Sequence, residues 1–190
     1  IFMKSLKNEI RIVAFDDCVF TFKQEKVRIV GPIFRGGEWM DAMVSTIIKK
    51  DGLNCTRKMI DCINQTSHKD QLQYIMLDGL SYAGLNVVDI QKLNKKTSLP
   101  VIVIQRKNPN IKKFLLACKR LENYEKREKI VKKAGKVYKG NKIYFQKYGL
   151  SEKKARKIIN LSTKRSHAPE PLRVAHIIAS GLSGSSKGGV

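Results

Sequence analysis

Two short apolar runs, each closing on aspartate, constrain this chain more than anything else in it. Tyr74-Ile75-Met76-Leu77 ends at Asp78-Gly79, and Ile10-Arg11-Ile12-Val13-Ala14-Phe15 ends at Asp16-Asp17. Runs of this length and character suit strands buried within a sheet. A strand delivers the residue that follows it to the sheet's end. Two such strands, side by side, bring two carboxylates to one place, and paired carboxylates are what a hard divalent cation takes as ligands.

The remaining pattern supplies the sheet and its cover. Further strands are expected at Lys26–Phe34, interrupted by Gly31-Pro32, at Met43–Lys49 after a Gly36-Gly37 turn, and at Val101–Gln105. Helices are expected at Asn54–Gln65, with Met59, Ile60 and Ile63 on one side, and at Val87–Leu93, ending near Asn94. Beyond Arg106 the pattern is mostly helical, at Ile111–Arg120 and Tyr124–Lys133, then from a Ser151 cap to about Leu161. Val137–Phe145 reads as a strand or an edge hairpin. A last helix has Pro171 in its first turn. In it Val174, Ile177, Ile178 and Leu182 form an apolar stripe, with Arg173, His176 and Ser180 on another face. The order predicts an α/β fold: a mixed central sheet flanked by helices, the first and fourth strands neighbours, and a basic helical second half. One domain is expected over residues 1–180, followed by a flexible Gly/Ser-rich tail over residues 181–190.

The 190 residues suffice for one compact core. Charge is the departure from the ordinary: 38 Lys and Arg against 16 Asp and Glu, a formal net of +22. Residues 1–105 carry 15 basic and 11 acidic side chains, whereas residues 106–165 carry 21 and 4. A field so one-sided attracts phosphate backbones through counterion release. Nucleic acid, DNA or RNA, is therefore the expected partner, gripped by Lys112, Lys113, Lys132, Lys133, Lys153, Lys154, Lys157 and Arg173. No run approaches the ~20 apolar residues of a membrane span. Ile1-Phe2-Met3-Lys4 has no signal-peptide core, Met3 is expected as the natural start, and the cytoplasm is the expected compartment. Cys18, Cys55, Cys62 and Cys118 are widely spaced without a CxxC pair, so free thiols rather than a zinc site are expected.

Asp16, Asp17, Asp51 and Asp78 all follow predicted strands. They are the candidates for holding Mg²⁺ or Mn²⁺ in phosphodiester chemistry, where one or two ions clamp the attacking and leaving oxygens. Asp51-Gly52 and Asp78-Gly79 are equally ordinary turn dipeptides. His68 reads as a surface residue and His167 lies in an irregular connection. His176 either faces the site or serves a polar helix face. Tyr138, Tyr144 and Phe145 lie inside the basic segment, where stacking on bases is conceivable.

Several stretches together resemble a known family. They are Phe34-Arg35-Gly36-Gly37, Asp51-Gly52-Leu53-Asn54-Cys55-Thr56, Leu77-Asp78-Gly79, Gly84-Leu85-Asn86-Val87-Val88-Asp89-Ile90, Leu99-Pro100-Val101-Ile102-Val103-Ile104 and Pro169-Glu170-Pro171-Leu172-Arg173-Val174-Ala175-His176. The family is an uncharacterised, chiefly archaeal one (domain of unknown function ninety-nine), similar to endonuclease V and of RNase H-like fold. The resemblance implies that Asp16 is the first metal carboxylate, with Asp17 beside it, and that Asp78 is the carboxylate of endonuclease V's Asp-Gly motif. It implies a third ligand near Asp51 or Asn54, and supporting roles for Glu170 and His176. The chain departs from the family in reading Asp16-Asp17-Cys18-Val19-Phe20 where Asp-Asp-Gly-Pro-Phe is usual, and Asn54 where Asp is usual. It also lacks the Pro-Tyr-x-Pro wedge of endonuclease V. Two functions follow as expectations. One is a metal-dependent endonuclease acting on DNA or RNA, with deaminated bases such as uracil or hypoxanthine as one candidate target, in DNA repair or RNA processing. The other, favoured by the uncharged Asn54, is a catalytically inactive nucleic-acid-binding protein.

Overall fold

The computed structural model describes residues 9–184. The expected start at Met3 and residues 185–190 of the expected tail lie outside them. The chain is built on a seven-stranded sheet. β1 (Arg11–Asp17), β2 (Lys26–Arg35) and β3 (Trp39–Lys49) form an antiparallel ladder. After α1 (Cys55–Gln65), β4 (Tyr74–Asp78) enters parallel to β1 on its free side. A small separate hairpin follows, β5 (Ser81–Tyr82) with β6 (Asn86–Val87), then α2 (Ile90–Thr97). β7 (Val101–Gln105) lies parallel to β4. Two helices, α3 (Ile111–Cys118) and α4 (Tyr124–Lys133), precede the hairpin of β8 (Tyr138–Lys139) and β9 (Tyr144–Tyr148), which pairs antiparallel to β7. α5 (Glu152–Ser162) and α6 (Glu170–Leu182) complete the chain. The sheet order is β3-β2-β1-β4-β7-β9-β8, with β1 and β4 adjacent.

Strand alternation divides the interior into two cores. Val13, Phe15, Ile75, Leu77, Val101 and Val103 point to one side, where Met59, Ile63 and Leu93 cover them. Ile12, Ala14, Tyr74, Met76, Ile102 and Ile104 point to the other, under Ala155, Ile158 and Leu172. Both sides being covered is why β4 and β7 read as unbroken apolar runs.

The structure differs from the sequence expectation at β3, which already starts at Trp39 rather than Met43, at the end of α2, which runs on to Thr97, and in the following places. β2 is not interrupted at Gly31-Pro32: the strand continues, and only its pairing with β1 lapses there, opposite Ala14 and Phe15, where Pro32 has no N–H to give. α2 starts at Ile90, not Val87, because Asn86 and Val87 are used in the β5–β6 hairpin and the Asp89 carboxylate accepts from Lys92 N at 2.9 Å as its cap. The last helix runs through Leu182, so the first two residues of the expected tail are helical. Its buried face is also only partly the expected stripe, of which Ile178 packs against Cys18, Val30 and Ala179. Leu172, Ala175, Ala179 and Ser180 are buried, while Ile177 and Leu182 are exposed. Small side chains let α6 lie close on the sheet, which outweighs burying the longer stripe. Among the described residues no helix is long and apolar enough to cross a membrane, and all four cysteines are free.

Gly31 shows how tightly the sheet centre is packed. A Cβ there would stand 2.7 Å from Phe15 Cε1 and 2.9 Å from Val44 Cγ2. Gly31→Ala is expected to cost about 1–3 kcal/mol through overpacking. Urea unfolding checks this, and an unchanged midpoint would show that Phe15 yields freely.

Candidate metal centre

The register between β1 and β4 positions the two carboxylates. Phe15 lies opposite Leu77 in the parallel pair, and one residue further along both strands come Asp16 and Asp78. Alternation puts both on the face of Ala14 and Met76. α6 lies across that face and delivers His176, whose Nδ1 is 3.0 Å from Asp16 Oδ2. One ligand atom each from Asp16, Asp78 and His176 lie within 4.8 Å of one another. Two carboxylates and one imidazole are a donor set that suits a divalent cation such as Mg²⁺ or, better with nitrogen, Mn²⁺.

The electrostatics fit the same use. Asp16 is 6% exposed, and its carboxyl is pushed up to about 8 by burial first, then by the charges of Asp78 and Asp17. The Asp17 N–H, which donates to Asp16 Oδ1 at 2.8 Å, and the Arg106 guanidinium pull the other way. Asp78 is likewise raised, chiefly by burial, with Arg106 and then His176 opposing. Acidic groups crowded into a poorly solvated place ionise only with added positive charge, and a bound cation supplies it. Arg106 is the residue that sequence reasoning missed. It follows β7 directly, and alternation from Ile102 and Ile104 places its position on the carboxylates' face. The available signal was its place just past the third parallel strand, matching Asp16 and Asp78 on the other two.

The other nominated ligands are engaged elsewhere. Asp17 points to the opposite side of the sheet, where its Oδ2 accepts from Ala83 N at 2.6 Å. Asp51, with a left-handed φ of +51°, accepts from Leu85 N at 2.9 Å. Gly84, at φ +86°, passes so close that a Cβ would strike the Asp51 carboxylate. Asn54 Oδ1 accepts from Lys49 N at 3.1 Å and Asn86 Nδ2 at 2.9 Å. Asp51 and Asn54, expected to complete the site, do not stand in the group of Asp16, Asp78 and His176; both secure the β5–β6 hairpin and its neighbouring turn. Glu170 is 1% exposed and ion-paired to Arg173 Nη2 at 2.6 Å and Arg165 Nη1 at 2.9 Å. Those two guanidiniums, Arg173 first, hold its carboxyl below the usual range. Glu170 and Arg173 thus offset one another's charge within an ion pair.

The basic side chains divide into groups. Lys113, with Arg106, lines a cavity of about 630 Å³ that opens beside Asp78 between Gly79, Leu80 and Phe114. Lys112 is its neighbour on α3. Lys132 and Lys133 end α4, with Lys132 paired to Glu128 at 3.0 Å. Lys153, Lys154 and Lys157 belong to α5. Lys154 Nζ lies 5.7 Å from the centroid of Tyr74, the first residue of β4, at the end of that strand away from Asp78. Tyr138 and Phe145, possible base platforms in the sequence, stack on each other with centroids 5.3 Å apart.

Comparison with known proteins places this architecture. The profile of the family described as endonuclease dU matches residues 8–183. A UPF0215 protein of Methanosarcina mazei is 48% identical over 190 residues, covering 96% of each chain. A crystal structure of a protein of unknown function from Archaeoglobus fulgidus superposes with a TM-score of 0.86 at 35% identity, covering 92% of this chain and 98% of that one. Endonuclease V of Ciona intestinalis, in complex with DNA containing an inosine, superposes with a TM-score of 0.62 at 15% identity, covering 92% and 86%. The fold is that of endonuclease V, RNase H-like, as the resemblance implied.

The raised Asp16 carboxyl carries a pH signature. Between the unfolded value of roughly 4 and the folded value of about 8, the folded chain keeps the proton that the unfolded chain has lost. This group's stabilising contribution is therefore full below pH ~4 and is lost as pH rises towards about 8. Thermal melts in chelator across that window should show a decline that is shallower in Asp16→Asn. Parallel curves for the two proteins would contradict the burial argument.

Proposed function

This chain belongs to the endonuclease dU family, and from that premise we propose that it is a divalent-metal-dependent endonuclease cutting DNA beside deaminated bases, deoxyuridine first among them. The observation that carries the reading is the convergence of Asp16, Asp78 and His176 within 4.8 Å, beside a cavity bordered by cations. Asp16 and Asp78 would hold Mg²⁺ or Mn²⁺ through carboxylate oxygens, with the His176 imidazole as third donor. When bound, the ion supplies Lewis-acid polarisation of the phosphodiester and activation of water. The Asp17 N–H holds the Asp16 carboxylate in orientation. Arg106 adds positive charge where the phosphate gains negative charge on the way to the transition state. Water attacks phosphorus in line and the bond to the 3′ oxygen breaks, leaving a 3′-hydroxyl and a 5′-phosphate.

The cavity beside Asp78 has the volume to accept a nucleobase with part of its sugar. The basic second half supplies phosphate attraction, independent of sequence. The free thiols agree with a cytoplasmic place of work. The alternative, a binder without catalysis, rested on Asn54, and that side chain bonds to Lys49 and Asn86 rather than standing with the carboxylates.

Cleavage of a duplex carrying one deoxyuridine, alongside deoxyinosine, undamaged DNA and RNA of the same sequence, tests this. Asp16→Asn and Asp78→Asn should each slow Mg²⁺- or Mn²⁺-dependent cutting by about 100-fold or more, the scale lost when charge stabilisation is removed. Binding in chelator should persist, and Asp51→Asn should cut near the wild-type rate. Equal cutting by Asp78→Asn, or no cutting of any substrate by the wild type, would end the nuclease reading.

Binding itself should weaken steeply with salt, with a log–log slope of about −4 to −7 if five to eight duplex phosphates are neutralised. Lys113→Glu, at the cavity rim, should weaken it more than Lys153→Glu, on α5. A flat salt response would mean that the charge is only a solvated surface.

A further inference from the structure

The connection between β1 and β2 carries the most exposed large apolar side chain among the described residues, Phe22 at 92%. A fixed turn holds it there. Thr21 N–H donates to Gln24 Oε1 at 2.7 Å and Gln24 N–H donates to the Thr21 carbonyl at 3.2 Å, with Phe22 and Lys23 at the tip. The Lys50 ammonium donates to the Phe22 carbonyl and stands 4.7 Å from the ring centroid. The ring packs on no core: Phe22 belongs to none of the apolar clusters, and Val19 on the same connection is 61% exposed. A groove of about 500 Å³ runs beside it, between this connection, Ile47 and Leu182.

Its position gives the ring a use. The connection starts directly after Asp17, and Cys18 N–H still bonds the Arg28 carbonyl, so it leaves the sheet at the end that bears Asp16 and Asp78. Lys50 follows β3, two strands across from β1. Asp16 is level with Ser45 of β3 through Val30, and Lys50 lies five residues further along that strand, so the two are roughly 20 Å apart, or about six nucleotide steps at ~3.4 Å each. The surrounding charge is mostly cationic: Lys23, Lys26, Arg28, Lys49 and Lys50 against Glu25, with Asp17 and Asp51 at the two ends of these stretches. An open aromatic face among cations is how proteins hold unpaired bases, the ring taking the base and the lysines the phosphates. An acid-poor apolar partner protein gains nothing from those charges.

We propose that Phe22 is a stacking platform for an unpaired nucleobase of the strand entering the metal centre, with Lys23 and Lys50 on the adjoining phosphates. This rests on the nucleic-acid reading above, and its test separates the two. Single-stranded oligonucleotides with bases, and others of the same length with abasic sugars, are titrated against wild type, Phe22→Ala and Phe22→Trp. Phe22→Ala should weaken base-bearing DNA by about 5- to 150-fold, the range for one base stacked on an aromatic side chain, and leave abasic DNA unchanged. Phe22→Trp should retain affinity, and in a Trp39→Phe background its indole emission should be quenched by base-bearing DNA only. A wild type that binds neither oligonucleotide overturns the nucleic-acid reading and this inference together. A wild type that binds, with Phe22→Ala matching it on base-bearing DNA, overturns this inference alone. Loss of a wild-type dimer in sedimentation of Phe22→Ala, with DNA affinity kept, assigns the ring to a second copy and also overturns it.

Discussion

Everything in the candidate centre depends on the parallel register of β1 on β4. With Phe15 opposite Leu77, Asp16 and Asp78 emerge together on one face. A slip of one residue in either strand would send its carboxylate to the other side. The sheet thereby brings two like charges into a poorly solvated place, against their mutual repulsion. Covered ladders on both sides hold the register firmly enough to sustain that. The cost appears in the raised carboxyls of Asp16 and Asp78, which Arg106 and His176 offset only in part. Carboxyls raised in this way at the end of otherwise well-packed strands single out this place as a candidate functional site.

The carboxylates that do not face the centre do a different task. Asp17 and Asp51 each accept from a backbone N–H of the β5–β6 hairpin, at Ala83 and Leu85. Asn86 ties the same hairpin to α1, accepting from Cys55 N at 3.1 Å and donating to the Lys49 carbonyl at 2.8 Å. The buried Arg127 donates to the carbonyls of Leu85, Glu122, Asp51 and Gly52. Two-residue strands do not hold themselves, and these polar side chains hold them instead. The consequence reaches the site, because Leu80 and Ser81, which lead into the hairpin, line the cavity beside Asp78. A fixed hairpin gives that cavity a fixed wall.

Charge is arranged on a coarser scale. The basic residues of the second half sit on α3, α4 and α5, and the sheet lies between part of them: α5 packs on the core of Ala155 and Ile158, whereas Ala134, just past α4, belongs to the other. They make a broad field rather than one groove. The cations that line the cavity beside Asp78 are Arg106, Lys107 and Lys113. A one-sided field of this kind acts over a wide area and does not depend on any single side chain.

The elements were legible in the sequence to the extent that their causes are local. Apolar runs in β4 and β7, the Ser151 cap and Pro171 at the start of α6 act within a few residues, so their positions could be read directly. The errors fell where a distant contact decided. Gly31 and Pro32 stay in strand because β2 remains paired with β3 there, opposite Val44 and Met43, and α6 turns its small residues inward to suit a sheet built from the other end of the chain. The sequence by itself determined that two buried strands end in aspartate and that the second half is strongly basic, since burial pattern and composition belong to the chain alone. Only the tertiary structure decided that Asp16 and Asp78 share a face, that Asp17, Asp51, Asn54 and Glu170 are spent on other bonds, and that His176, 160 residues from Asp16, closes the group. Those are matters of register and helix placement, set by packing between remote segments that local patterns do not encode.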